Sequence, residues 1–195
     1  MTMIYRKLRQ PLLSILVVLF LGGCVLVLKE PLFFPGSSNV PDISGRYRPP
    51  EREVELTIRR LTGENGKTTN HYRLHIPKGN KESFDLEMVI EPLGGQRYIV
   101  QFRGDESRRR GKTKTTYCLV LAEIELPRIT WYTLRRSSIL VETGAKYGVI
   151  IDDAGVVTHY QSIAELKAFF NQLLDDDGKR GYGALKAEVL IKQDG

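Results

Sequence analysis

Apolar side chains recur at every second position in four successive stretches of this chain: Val54-Glu-Leu-Thr-Ile-Arg59, Tyr72-Arg-Leu-His-Ile76, Phe84-Asp-Leu-Glu-Met88 and Tyr98-Ile-Val-Gln-Phe102. A period of two puts those side chains on one face of a pleated strand, so each stretch reads as a half-buried strand. The inward set is then Leu56, Leu74, Leu86 and Val100. Between the stretches lie Gly63-Glu-Asn-Gly66, Lys78-Gly-Asn80 and Leu93-Gly-Gly95. Such residues reach positive backbone dihedrals at little cost, and strands joined by tight turns pair antiparallel.

Longer apolar runs follow from Thr115 to Glu125 and from Arg128 to Arg135, with Pro127 between them. Tyr147-Gly-Val-Ile-Ile151 and Val156-Val-Thr-His-Tyr160 flank Asp152-Asp-Ala-Gly155 and read as a hairpin, and Ala187-Glu-Val-Leu-Ile191 as a short last strand. About eight strands in one meander imply a barrel or a strongly curved sandwich. One helix is expected. Ser162-Ile-Ala-Glu165 is a capping box, the serine taking an orphan backbone N–H and the glutamate reaching back to the cap's own N–H. Ile163, Leu166, Phe169, Phe170, Leu173 and Leu174 then share one face, as core packing requires. Gly178 followed by Lys179 and Arg180 predicts its end, with cations offsetting Asp175, Asp176 and Asp177 at the negative pole. Those three aspartates lack the alternate spacing of an EF-hand loop, so no calcium site is assigned. The fold class is therefore mainly β (α+β): an antiparallel meander, one C-terminal amphipathic helix and a short last strand.

The amino end has a different character. Arg6, Lys7 and Arg9 precede an apolar stretch from Leu12 to Leu21, and Leu21-Gly22-Gly23-Cys24 follows. This order of charge, apolar core, small residues and cysteine resembles a bacterial lipoprotein signal. The resemblance implies that residues 1–23 are removed and that Cys24 carries the lipid, palmitate included. The mature chain would then face the periplasm from the outer membrane, since Val25 stands where inner-membrane retention is associated with aspartate. The alternative is an uncleaved single-pass inner-membrane helix, because Val25-Leu-Val-Leu28 prolongs the run toward the roughly 17-residue lower limit of a span. Residues 24–50 hold Pro31, Pro35, Pro41, Pro49 and Pro50 and read as an extended tether. Phe33 and Phe34 within it have two open roles, at the membrane interface or on the domain. Residues 51–195 then form a single domain.

Charge gives little direction. The chain has 29 basic and 23 acidic residues, but Arg6, Lys7 and Arg9 belong to the leader, leaving a net charge of +3. Nucleic acid is not an expected partner. Acylation of Cys24 would leave Cys118 as the only thiol, with no intramolecular disulfide to form. Tyr117-Cys-Leu-Val-Leu121 gives Cys118 the role of a small buried hydrophobe.

No catalytic constellation, metal site or cofactor motif emerges. His71, Arg73 and His75 share the polar face of a strand, where solvation is the expected state. His159 with Asp152 or Asp153 lacks a serine in a nucleophile-elbow context, so no enzyme activity is assigned. Arg103-Gly-Asp105 spells an adhesion tripeptide with no accompanying feature. The densest basic run is Arg108-Arg-Arg-Gly-Lys-Thr-Lys114. Its residues Arg108, Arg109, Arg110, Lys112 and Lys114 are the candidate contacts for an anionic envelope polymer or another envelope protein.

A meander of about eight strands followed by a helix and a strand, with Ser44-Gly-Arg-Tyr47 near its start, resembles the layout of lipocalins, some of them bacterial lipoproteins. That family's pattern has tryptophan where Tyr47 stands, and Trp131 lies far along the chain. The resemblance implies a barrel and, as an alternative function, carriage of an apolar ligand. The expected function is a lipid-anchored envelope protein whose β domain binds or docks a partner.

Overall fold

The structure is a computed structural model that describes residues 26–28, 30–36, 39–50, 52–63, 66–78, 82–107, 113–134, 137–152, 156–180 and 185–193. Its strands are β1 (Val27–Leu28), β2 (Gly45–Arg48), β3 (Leu56–Thr62), β4 (Thr68–Lys78), β5 (Glu82–Gly94), β6 (Arg97–Ser107), β7 (Thr113–Glu125), β8 (Arg128–Leu134), β9 (Ile150–Ile151), β10 (Val157–His159) and β11 (Leu185–Gln193). The helices are α1 (Ser138–Lys146) and α2 (Ile163–Arg180). Strands β2 to β8 follow one another as an antiparallel meander, and β11 inserts between β8 and β2 to close an eight-stranded barrel. β1 lies outside the ring, paired to β7 at Cys118 and Tyr117, while β8 covers β7 from Leu121 to Glu125.

The expected inward set is correct. Leu56, Leu74 and Val100 are buried inside the barrel, and Leu86 packs against them at partial exposure. Register explains the lining: Tyr72 lies opposite Met88, Met88 opposite Phe102 and Phe102 opposite Cys118, a row of inward side chains across four strands. Trp131 meets Phe102 edge-on at a centroid distance of 5.6 Å. Fully burying one such side chain contributes about 1.5–3 kcal/mol.

A second core covers the outer face of β5 to β8. Leu166, Phe169, Phe170, Leu173 and Leu174 of α2 pack with Val89, Ile99, Leu119, Leu121 and Leu134. This is why β7 reads as a continuous apolar run instead of an alternation: Val120 and Ala122 face the barrel, Leu119 and Leu121 face the helix. At the helix start, Ser162 Oγ accepts from Glu165 N at 3.2 Å. The glutamate carboxylate takes the serine hydroxyl at 3.1 Å, not the cap's backbone N–H.

Several expectations are corrected. The segment expected as a tether belongs to the domain: Leu26, Leu32, Phe33, Val40, Ile43 and Tyr47 are buried, and β2 is a barrel strand. Proline fixes an extended backbone without forcing it into water, and these apolar side chains gain more by docking. Phe33 packs into the second core while Phe34 is 70% exposed. Residues 1–23 and Cys24 lie outside the described residues. The Tyr147–Ile151 strand shrinks to two residues, because α1 occupies the preceding stretch and Tyr147 is its C-cap. α2 continues through Gly178 to Arg180, and Asp175 is held by Arg97 at 2.8 Å. The last strand spans nine residues with a partner on each side, so it closes the barrel.

Candidate binding site

Three regions of the barrel could meet a ligand: its interior, its outer faces and its projecting hairpins. The interior is lined by aliphatic and aromatic groups, and Tyr47, Tyr72, Leu74, Ile90 and Ile129 have 0% exposure. No water-sized space touches side chains at that level, so those residues line packed volume. One end is capped by residues 40–43. Arg60 lies over the Tyr72 ring, 5.0 Å from its centroid, and donates to the carbonyls of Val40 at 2.8 Å and Pro41 at 3.1 Å. The Tyr72 hydroxyl accepts from Arg60 and donates to Pro41 O at 3.0 Å. Burial raises the Tyr72 pKa despite that guanidinium.

The hairpins differ from the interior. The β5–β6 ladder ends at Glu87 and Arg103, whereas the β6–β7 ladder continues through four more pairs, from Gly104–Thr116 to Ser107–Thr113. Beyond Arg103 these two strands have only each other among the described pairings, so they leave the barrel as a ribbon about 13 Å long. The β4–β5 hairpin does the same over its last two pairs, Pro77–Ser83 and Lys78–Glu82, because β3 pairs β4 no further than His75 on that side and Ile76 with Phe84 still packs on the barrel core. In a meander alternate turns share an end, so both ribbons project from the same end. Arg108, Arg109, Arg110 and Lys112 fall in the sequence between β6 and β7, outside the described residues. Lys114 lies in β7 at the register position opposite Glu106.

On the outer face of β4 to β6, His75 Nδ1 lies 2.8 Å from Asp85 Oδ1, while Glu87 is shared by His71 at 3.8 Å, Arg73 at 3.7 Å and Arg103 at 3.4 Å. This is the solvated face expected from the sequence. Burial, ahead of the opposing Glu87 charge, lowers the His71 pKa. Among the described residues no group of three His, Cys, Asp or Glu side chains is arranged to hold a metal. Asp152 accepts the backbone N–H of Val156 at 2.8 Å, a turn contact. Arg103-Gly-Asp105 is part of β6 and its ribbon, not a free loop.

Sequence reasoning missed a cleft of ≈ 460 Å³ between the β5–β6 turn, the end of β7 and α2. Arg97 crosses it, bonded to Asp175 at 2.8 Å and near Glu123 at 3.6 Å. Glu123 also accepts the Tyr132 hydroxyl at 2.7 Å, and burial with that carboxylate pushes the Tyr132 pKa up to about 12. Glu125 and Asn171 complete the charged and amide groups of the wall. The walls come from three stretches of chain, residues 93–97, Glu123 with Glu125, and Asn171, so no local pattern marks them. Also missed were two buried amides. Gln101 Oε1 accepts from Leu32 N at 2.6 Å and Phe33 N at 3.0 Å, and Nε2 donates to Phe33 O at 2.9 Å. Asn70 Oδ1 accepts from Gly36 N at 2.8 Å. They fasten residues 32–36 to the barrel wall.

Cys118 corrects another expectation: it is buried and disulfide-bonded. The chain's other cysteine, Cys24, lies outside the described residues. Within one chain, such a bond and a lipid thioether at Cys24 exclude each other, because both need the same sulfur.

Set against family models, curated proteins and solved structures, the chain matches none. The closed eight-stranded barrel is consistent with a lipocalin-like fold, and it is compatible with a binding or carrier module.

Proposed function

We propose that this protein is a lipid-anchored envelope module that docks an anionic envelope component through the basic tip of the β6–β7 ribbon, facing the periplasm from the outer membrane. The observation that carries the reading is the ladder extending four pairs past the barrel wall into the Arg108–Lys114 run. A two-stranded ribbon adds little stability by itself, so its length is better explained by contact than by folding. Charge attraction between solvated groups is screened by salt. Replacing Arg108, Arg109 and Arg110 by serine should therefore abolish recovery of the partner from envelope extracts at low salt, and added salt should do the same to the parent protein. Equal recovery by both proteins would exclude the tip.

The anchor rests on the leader pattern and on one structural fact. Leu26 and Leu28 belong to the second core, so the apolar run available to a membrane ends at Val25. From Leu12 that is 14 residues. At about 1.5 Å per residue this falls well short of the roughly 30 Å hydrocarbon core, which favours a cleaved leader over a spanning helix. The disulfide at Cys118 stands against acylation. Labelled palmitate entering the wild-type chain but not Cys24→Ser supports the anchor; no incorporation in the native host refutes it.

Carriage of an apolar ligand inside the barrel is the second reading, favoured by the aliphatic and aromatic lining. The zero exposure of Tyr72, Leu74 and Ile90 weighs against it. Native mass spectrometry finding a bound apolar molecule in protein from the native host would reverse that judgement.

A further inference from the structure

The way the chain enters the domain determines which flank faces the membrane. Leu26 is fully buried, and its carbonyl accepts the backbone N–H of Leu119 at 3.1 Å. The next residue, Val27, pairs with Cys118 on one side and bridges Val156 on the other. The anchoring segment therefore joins the fold at the seam where β7 passes from β1 to β8. Cys24 lies two peptide steps from Leu26, with Val25 alone between them, a reach of at most about 7 Å. Glu125, at the end of β7, lies six residues beyond Leu119, or about 20 Å along the strand. A leash that short does not let the barrel stand on its end; it draws the seam flank onto the bilayer.

That flank is covered by α1, β9, β10 and the start of α2, whose inner side buries Leu140, Ile151, Val157 and Leu166 against the barrel. Its outer side exposes large apolar side chains, interspersed with exposed Glu142, Lys146, Asp152 and His159. Of the six large hydrophobic side chains exposed among the described residues, Val141, Ile150, Tyr160 and Ile163 lie in this layer. In ring order the opposite flank is β3–β4, which presents exposed Arg59 and Arg73 with His71 and His75. The exposed large hydrophobics therefore gather on the side where the chain enters, and among the described residues none lies in β3 or β4.

We propose that the α1–β9–β10 layer rests on the anchoring bilayer, with Val141, Ile150, Tyr160 and Ile163 in its interface and the β3–β4 flank turned away. The inference rests on the anchoring reading above. Short apolar side chains and an amphipathic tyrosine suit the boundary between headgroups and acyl chains.

The test adds one tryptophan to the full anchored chain, at Ile150→Trp or, as a second site, Val141→Trp, with Arg59→Trp as the far-flank control. Trp131, 4% exposed inside the barrel, supplies a constant background. Each protein is reconstituted in vesicles of phosphatidylethanolamine and phosphatidylglycerol with brominated acyl chains. The added emission of Ile150→Trp and Val141→Trp should be largely lost, and that of Arg59→Trp retained. Vesicle-bound protein quenched equally on both flanks, or more at Arg59→Trp, overturns the orientation and leaves the anchor standing. Protein that does not float with vesicles overturns the anchor itself.

Discussion

Gln101→Leu removes the fastening that makes residues 32–36 part of the domain. The side chain is 3% exposed and serves two backbone N–H groups and one carbonyl, those of Leu32 and Phe33. Leucine is of similar size, so packing is nearly conserved and the loss is polar. Each buried backbone group left without a partner costs about 1–3 kcal/mol. Three such groups total about 3–9 kcal/mol; the segment can shift outward to reach water, which brings the expected loss to about 3–4 kcal/mol. With a urea slope of about 2 kcal/mol/M, the unfolding midpoint should fall by about 1.5–2 M. Hydrogen exchange gives the local readout: the amides of Leu32 and Phe33 should lose protection before those of β6. A midpoint within about 0.3 M of the parent, with protection unchanged, would refute the argument and restore a tether that only lies near the barrel.

Phe169→Ala, at 0% exposure in the second core, should cost about 3–5 kcal/mol by thermal or chemical unfolding; a loss under about 1 kcal/mol would mean that α2 does not cover the sheet. Gly144→Ala reverses the usual helix preference of about 1 kcal/mol for alanine, because the new Cβ would lie 2.8 Å from the carbonyl oxygen of Val149. A stabilised variant in a melting assay would contradict that contact. Burial raises the pKa of Tyr47 to about 12, and burial with the Glu123 carboxylate does the same for Tyr132. Both folded values exceed the unfolded one near 10, so the folded state holds these protons more tightly. Stability should be level below pH 10 and fall between pH 10 and 12 in unfolding curves, and Tyr132→Phe should soften the fall. Intact mass of envelope-purified protein, measured with and without reductant after thiol alkylation, separates the fates of Cys24: a two-hydrogen difference marks the Cys118 disulfide, whereas added acyl mass with Cys118 alkylated marks the lipoprotein.

Strand identity was legible wherever only one face is buried. The alternations at Leu56, Leu74, Leu86 and Val100 name the barrel lining because a pleated strand sends successive side chains to opposite faces. The Ser162 capping box and the Leu166–Leu174 stripe locate α2 for an equally local reason, the 3.6-residue turn. α1 escaped because only Leu140 and Gly144 are buried in it, too few to set a period. Residues 26–50 were misread because their prolines are a local signal, whereas Gln101 and Asn70, which hold them, are decades of residues away. The candidate sites divide the same way. The Arg108–Lys114 run is written in consecutive residues, but the length of the β6–β7 ladder before it depends on where the β5–β6 pairing stops.

From its order of residues alone, this protein is a mainly β chain with one strong amphipathic helix, an amino end that resembles a lipoprotein leader and a basic run between two strands. Each of these is a periodicity or composition within a few turns of chain. Tertiary structure decided the rest: closure of the ring by β11, docking of the proline-rich segment, the Arg97–Glu123–Asn171 cleft, the disulfide at Cys118 and the place where Leu26 joins β7. Those depend on which distant surfaces exclude water together, and no local pattern encodes that choice.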